Sequence, residues 1–157
     1  MTDRVVHSKC KDSHLDEVSK ELMRQAMQCV TSRGEFNVAL SESDTLDDFY
    51  ARLMFDPDLR MFPWGKTQLW FFGESSESDS IQIAISAHSG IPEEQVHHVR
   101  DGLPEGVTVD CCISDGEDLA ELPDAFTKNC NSWLIIASSN APTLNLGGVT
   151  HIFVINQ

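Results

Sequence analysis

The segment VDCCISDGEDLAELP, residues 109–123, decides the fold that the sequence predicts. Its first five residues, Val109 to Ile113, are mostly apolar, as in a strand that other elements cover on both faces. The Asp115-Gly116 pair predicts a turn, and the residues after it predict a helix. In α/β enzymes, catalytic residues usually follow a strand of this kind.

Helices and strands alternate on both sides of this segment. Ser13 with Asp16 resembles a capping box, and apolar residues at helical spacing continue from there to a stop at Gly34. Together the elements predict a three-layer α/β fold, with a mainly parallel sheet and helices on both faces. We expect residues 1–12 to be a flexible N-terminus and 13–157 to be a single domain. The predicted helices are 13–32, 46–54 and 81–88, and the predicted strands are 36–40, 67–72, 96–99, 109–113, 133–137 and 151–155.

Charge limits the classes of partner. The 157 residues include 25 acidic and 11 basic ones, which gives a net charge of -14. Such a chain is repelled by nucleic acid and by anionic membrane surfaces, so we expect neither as a partner. No secretion signal or membrane span is apparent, so we expect a cytoplasmic or nucleo-cytoplasmic protein.

The cysteines, histidines and tryptophans predict structural roles. Five cysteines show no metal-ligand spacing, so we expect free thiols, no metal and no cofactor. Cys111 and Cys112 are neighbours on a predicted strand, so their side chains should face opposite sides. His97 and His98 fit a core or surface role better than catalysis. The same holds for the tryptophans at positions 64, 70 and 133.

Several segments, in order along the chain, resemble the 6-phosphogluconolactonase family. Asp115-Gly116 and Pro123 match its Asp-Gly-His-Thr…Pro signature, and Phe62-Pro63-Trp64 matches a Pro-Trp motif. The resemblance implies the fold that lactonases share with glucosamine-6-phosphate isomerases, and a role in carbohydrate metabolism. By this comparison the chain looks truncated after Gln157. The further similar segments are 36–41, 47–53, 68–72, 89–97 and 137–146.

Departures from the family pattern fall on functional positions. Glu117 and Asp118 stand where the family has histidine and threonine, so the catalytic base that the resemblance implies is replaced. Of the family's Asp-Glu-Arg motif only Glu74 remains, and the arginine expected near Pro142 is missing. The resemblance therefore implies vestigial catalytic positions at Asp115, Gly116, Glu117 and Glu74.

The phosphate loop that the resemblance implies is altered in the same way. Its vestigial binding positions are Ser41, Ser43 and Thr45, whose hydroxyls can donate hydrogen bonds. Glu42 and Asp44 flank Ser43, where the family has small uncharged residues. These two carboxylates would repel a phosphate, although they would also stabilise the start of the next helix.

Two functions follow as hypotheses. The first is a pseudoenzyme, a lactonase-like binding or scaffold module that forms part of a protein complex. The second is an active sugar-phosphate enzyme that hydrolyses 6-phosphogluconolactone with displaced residues, Glu117 being the base. A poorly folding paralogue is a third reading.

A protein partner is expected at the C-terminal third. The strands 133–137 and 151–155 are apolar on both faces, and few helical segments follow to cover them. Exposed apolar faces and an open strand edge favour self-association or a protein partner there. Alternatively, the helix 13–32 covers this part of the sheet.

Overall fold

One parallel sheet organises the chain. The computed structural model describes residues 4–41, 44–59, 61–72, 90–99, 104–116, 122, 124–137 and 148–155. The described helices are α1 (Lys11–Arg33), α2 (Asp47–Phe55) and α3 (Asp124–Thr127). The strands are β1 (Arg4–Ser8), β2 (Phe36–Ser41), β3 (Thr67–Phe72), β4 (Val96–His98), β5 (Cys111–Ser114), β6 (Ser132–Ala137) and β7 (Val149–Ile155). They lie side by side in the order β1-β7-β6-β5-β2-β3-β4, and each neighbouring pair is parallel.

Each central strand contributes to two hydrophobic cores. On β6, Leu134 and Ile136 pack against the side that α1 and α2 cover, whereas Trp133 and Ile135 pack on the opposite side with Phe126 of α3. This alternation explains the continuously apolar strand sequences, because both faces of the sheet are buried. The prediction of an α/β sheet with helices on both faces is confirmed. The predicted helix at 81–88 lies outside the described residues.

Helix α1 agrees with the prediction in its body and at its end, but not at its start. It begins at Lys11 after Cys10, and no side chain caps it, so the predicted capping box at Ser13 is wrong. Gly34 ends the helix with a left-handed φ of 78° and donates its N–H to the Val30 carbonyl at 2.8 Å.

The N-terminal residues are part of the sheet. We expected residues 1–12 to be flexible, but residues 4–8 form β1 and pair with residues 151–155 of β7. The side chain of His14, in the first turns of α1, bonds the Phe153 carbonyl at 3.0 Å. The expectation of a loose end therefore fails for the described part of this segment.

Strands β6 and β7 are covered within the chain. Every residue of β6 is buried, and of β7 only Val149 is exposed. Leu15, Val18 and Leu22 of α1 belong to the core on one face, and β1 pairs with the outer edge of β7. The exposed apolar faces on which the expected docking surface depended are thus absent from these strands. The alternative, that the first helix covers this part of the sheet, is observed on one face, and the other face packs with Phe126 of α3.

Candidate functional site

The implied phosphate loop and the implied catalytic turn meet at one edge of the sheet. β2 and β5 are parallel neighbours, with Leu40 opposite Ile113. Their carboxyl ends therefore emerge together, and Ser41 and Ser114 close the two strands side by side. This is the edge at which parallel α/β sheets bind ligands.

A hydrogen bond joins the two motifs at this edge. The Thr45 hydroxyl donates to Asp115 Oδ2 at 2.8 Å. The Ser41 carbonyl accepts a hydrogen bond from the Tyr50 hydroxyl at 2.6 Å, and the Gly116 N–H donates to Ser114 Oγ at 2.9 Å. The structure thus brings together Ser41, Thr45, Asp115 and Gly116 of the predicted site. Ser43, Glu74 and Glu117 lie outside the described residues, as does Glu42, and nothing is described of the Asp44 side chain.

Charges near this edge are predominantly paired. The first turn of α2 carries Asp47 and Asp48, and Lys11 at the start of α1 forms an ion pair with Asp48. Arg52 pairs with Asp12, and its Nη1 lies 3.9 Å from an oxygen of Asp16. Both α1 and α2 therefore carry carboxylates in their first turn. These carboxylates offset the positive end of each helix dipole, which could otherwise attract an anion.

The histidines and tryptophans have structural contacts. The His97 ring stacks on Trp70 with 4.3 Å between ring centroids and bonds Gln68 Oε1 at 2.7 Å. Burial, and then the neighbouring His98, lowers the pKa of His97. Trp70 and Trp133 are buried in the core, which confirms the structural role predicted for them.

The described cysteines are free thiols. Cys111 and Cys112 face opposite cores, as the strand geometry predicts. Burial raises the pKa of Cys130 to about 12 and that of Cys111 well above its ordinary value, so both thiols stay protonated. Among the residues that the structure describes, no three His, Cys, Asp or Glu side chains converge as a metal site. In the same part of the chain, no helix is long and apolar enough to cross a membrane.

The contact between Thr45 and Asp115 was not predicted. The two residues belong to separate sequence motifs, 70 positions apart. The signal that could have joined them was available, because consecutive parallel strands end at the same edge of a sheet. What the sequence lacked was the strand order, which places β2 directly beside β5.

The chain is similar in sequence and in fold to known proteins. The chain is 26% identical over 111 residues to a 6-phosphogluconolactonase of Chlamydia pneumoniae, a match that covers 67% of the chain and 43% of that protein. The 6-phosphogluconolactonase of Thermotoga maritima superposes with a TM-score of 0.76 at 13% identity, over 99% of this chain and 100% of that one. The chain is 6-phosphogluconolactonase-like. These matches show that the chain resembles 6-phosphogluconolactonases in sequence and in fold.

A further lactonase structure agrees. The 6-phosphogluconolactonase of Trypanosoma cruzi gives a TM-score of 0.67 at 13% identity, over 98% of this chain and 94% of that one. No protein-family model matches the chain. The chain spans less than half the length of its curated lactonase relative, as the 43% coverage shows. The likeness to solved structures establishes a 6-phosphogluconolactonase-like fold.

Proposed function

We propose that this 6-phosphogluconolactonase-like chain is a binding module without lactonase activity. The observation that carries the proposal is the hydrogen bond from Thr45 to Asp115. A hydroxyl implied in phosphate binding donates instead to a carboxylate of the implied catalytic turn. Two residues of the vestigial site are thus bonded to each other, which supports the loss of phosphate binding.

Electrostatics supports the same proposal. A phosphate at this edge would meet Asp115 and the exposed Asp47, while Lys11 and Arg52 are already engaged by carboxylates. Each like charge at surface-type screening costs a dianion on the order of 1 kcal/mol. Lys128, the described lysine of the C-terminal half, precedes β6. It therefore lies towards the opposite edge of the sheet.

The replaced catalytic residue is a further argument. Lactone hydrolysis needs a base that activates water and donors that stabilise the developing oxyanion. Glu117 stands at the position of the implied histidine. In the alternative, an active 6-phosphogluconolactonase, Glu117 would serve as that base.

The proposal extends to a protein complex, as the sequence led us to expect. With the faces of β6 and β7 buried, β1 is the edge strand next to them among the described strands, and its Val5 is 44% exposed. Self-association or a protein partner would then use strand addition to β1, the N-terminal strand that pairs with β7 of the C-terminal third. Light scattering on the purified chain tests self-association, and a monomer at all concentrations would contradict it.

Hydrolysis of 6-phosphogluconolactone tests the loss of activity. We expect the lactone to hydrolyse at its spontaneous rate in the presence of the purified chain. The Glu117→Gln variant should give the same rate. Glu117→His should remain inactive, because the phosphate-binding charges are still missing. Acceleration above the spontaneous rate that Glu117→Gln abolishes would overturn the proposal in favour of the active enzyme.

A further inference from the structure

A cavity lies at the opposite edge of the sheet from Thr45 and Asp115. It has a volume of about 410 Å³ and is formed by the second half of α1 and the amino-terminal starts of β6 and β7, with Asp110 just before β5. This volume is within the range of small-molecule sites. We call it the α1 pocket, and its lining includes Arg24, Cys29, Arg33, Asp110, Ser132 and His151.

The carboxylates around the α1 pocket are buried and already bonded. The Asp110 side chain is 3% exposed, accepts the Asn37 N–H at 2.8 Å and pairs with Arg33. The Glu21 side chain, on α1 next to the lining residues, is 6% exposed. It accepts hydrogen bonds from Arg24 Nη2 at 2.5 Å and from Gln25 Nε2 at 2.8 Å. Asp110 thus lines the pocket with its carboxylate already bonded, whereas Glu21 is not among the lining residues.

The guanidinium groups, in contrast, are accessible. The side chains of Arg24 and Arg33 are 57% and 48% exposed. Arg24 bonds Glu21 and also donates from Nη1 to Gln28 Oε1 at 3.0 Å. A guanidinium has five N–H donors, so the bonds described leave each arginine with donors to offer. The accessible charge of the pocket is thus positive, in a protein whose net charge is -14.

Two buried polar atoms of the pocket need a partner. Ser132 and His151 are each 9% exposed, and Ser132 Oγ and His151 Nδ1 have no hydrogen-bond partner among the described residues. Buried polar atoms are nearly always bonded, because leaving one unpaired costs its desolvation. Burial lowers the pKa of His151, against the opposing effect of Glu21, so its ring is neutral at neutral pH and Nδ1 can donate or accept.

We propose that the α1 pocket binds a small oxyanion, a carboxylate or phosphate group held by Arg24 and Arg33. Ser132 Oγ and His151 Nδ1 then bond the polar atoms of the same ligand. Guanidinium groups suit both kinds of anion, because their paired N–H donors match carboxylate and phosphate oxygens. This site is separate from the edge that carries Thr45 and Asp115.

Nuclear magnetic resonance titration of the labelled full chain tests the site. Sodium acetate and inorganic phosphate are the two probes, with sodium chloride at equal ionic strength as the control. We expect saturable shifts at the Nε of Arg24 and Arg33 and at the His151 ring. Saturation by acetate alone assigns a carboxylate ligand, and saturation by phosphate alone assigns a phosphate ligand; either supports the site.

Three variants complete the test. Ser132→Ala should weaken binding by at least about fivefold, equivalent to about one hydrogen bond. Arg24→Lys, which keeps the charge opposite Glu21, should weaken it too, and Thr45→Val at the other edge should leave it unchanged. Shifts that match those of chloride, shifts confined to residues 41–45 and 115–116, or equal affinity in Ser132→Ala would each overturn the proposal.

Discussion

Two glycines with the same backbone angle differ in their surroundings. Gly34 has a φ of 78° and Gly148 a φ of 79°. A Cβ added at Gly34 meets nothing within 4 Å, whereas at Gly148 it would lie 2.4 Å from the Asn131 carbonyl oxygen. That oxygen also accepts the Val149 N–H at 3.0 Å, so it cannot move without loosening the start of β7.

Alanine substitutions at Gly34 and Gly148 distinguish the cost of a left-handed backbone from the cost of steric overlap. Gly34→Ala should lower the free energy of unfolding by about 1–2 kcal/mol, the cost of a left-handed alanine. Gly148→Ala should lower it by roughly 2 kcal/mol more, because the backbone of Asn131 must shift. Urea unfolding of both variants measures this, and equal losses would contradict the account of β7.

His151 should make stability depend on pH. Its pKa lies below the ordinary 6.5 because the ring is buried; Glu21 opposes this shift, and Arg4 and Arg24 add to it. The unfolded chain therefore binds the proton at a higher pH than the folded chain does. The free energy of unfolding should fall as the pH drops from about 6.5 towards the folded pKa, by at most about 1.4 kcal/mol per pH unit.

The variant His151→Gln isolates this contribution. Its free energy of unfolding should fall less steeply than that of the unchanged chain below about pH 6.5. His97, whose pKa burial also lowers, contributes equally to both proteins. Chemical unfolding at several pH values gives the two slopes, and identical slopes would show that His151 titrates alike in both states.

At the scale of elements, the length of α1 follows from the strand order. The chain leaves β1 at one edge and must pass β7, β6 and β5 to reach β2. Those four strand spacings span about 19 Å, and a helix of 23 residues is about 35 Å long. The crossover therefore lies across β6 and β7 and covers them. This explains why one of the two faces that the sequence left uncovered is buried.

The sequence predicts the elements whose signal is local. The apolar runs gave β2, β3 and β6 to within a residue at each end, because a buried parallel strand is apolar throughout. It does not predict β1, because three of its five residues are exposed and its partner β7 is more than 140 positions away. Of the candidate site it identified Thr45 and Asp115, but their contact depends on the strand order, which no single segment encodes.

Hydrogen exchange tests the pairing of β1. Amides of residues 5–8 that bond β7 should exchange more slowly than in an unstructured peptide, because they lie in a parallel ladder. Deleting residues 1–9 should reduce protection at Ile152 to Val154 in β7. Unprotected β1 amides, or a deletion without effect on β7, would restore the expectation of a loose N-terminus.

At the scale of the whole molecule, the two edges of the sheet have opposite character. The carboxyl edge, where the lactonase resemblance predicts a phosphosugar site, carries Asp115, Asp47 and Asp48. The amino edge holds the α1 pocket with its accessible arginines. We therefore expect the fold to have been retained while ligand binding at the carboxyl edge was lost.

Titration calorimetry with 6-phosphogluconate tests this central claim most directly. An active 6-phosphogluconolactonase titrated under the same conditions is the positive control, and Thr45→Val and Ser132→Ala distinguish the two edges. We predict no micromolar binding that Thr45→Val weakens. Any binding heat that disappears in Ser132→Ala is assigned to the α1 pocket. Micromolar binding that Thr45→Val weakens and Ser132→Ala leaves unchanged would contradict the loss of the phosphosugar site.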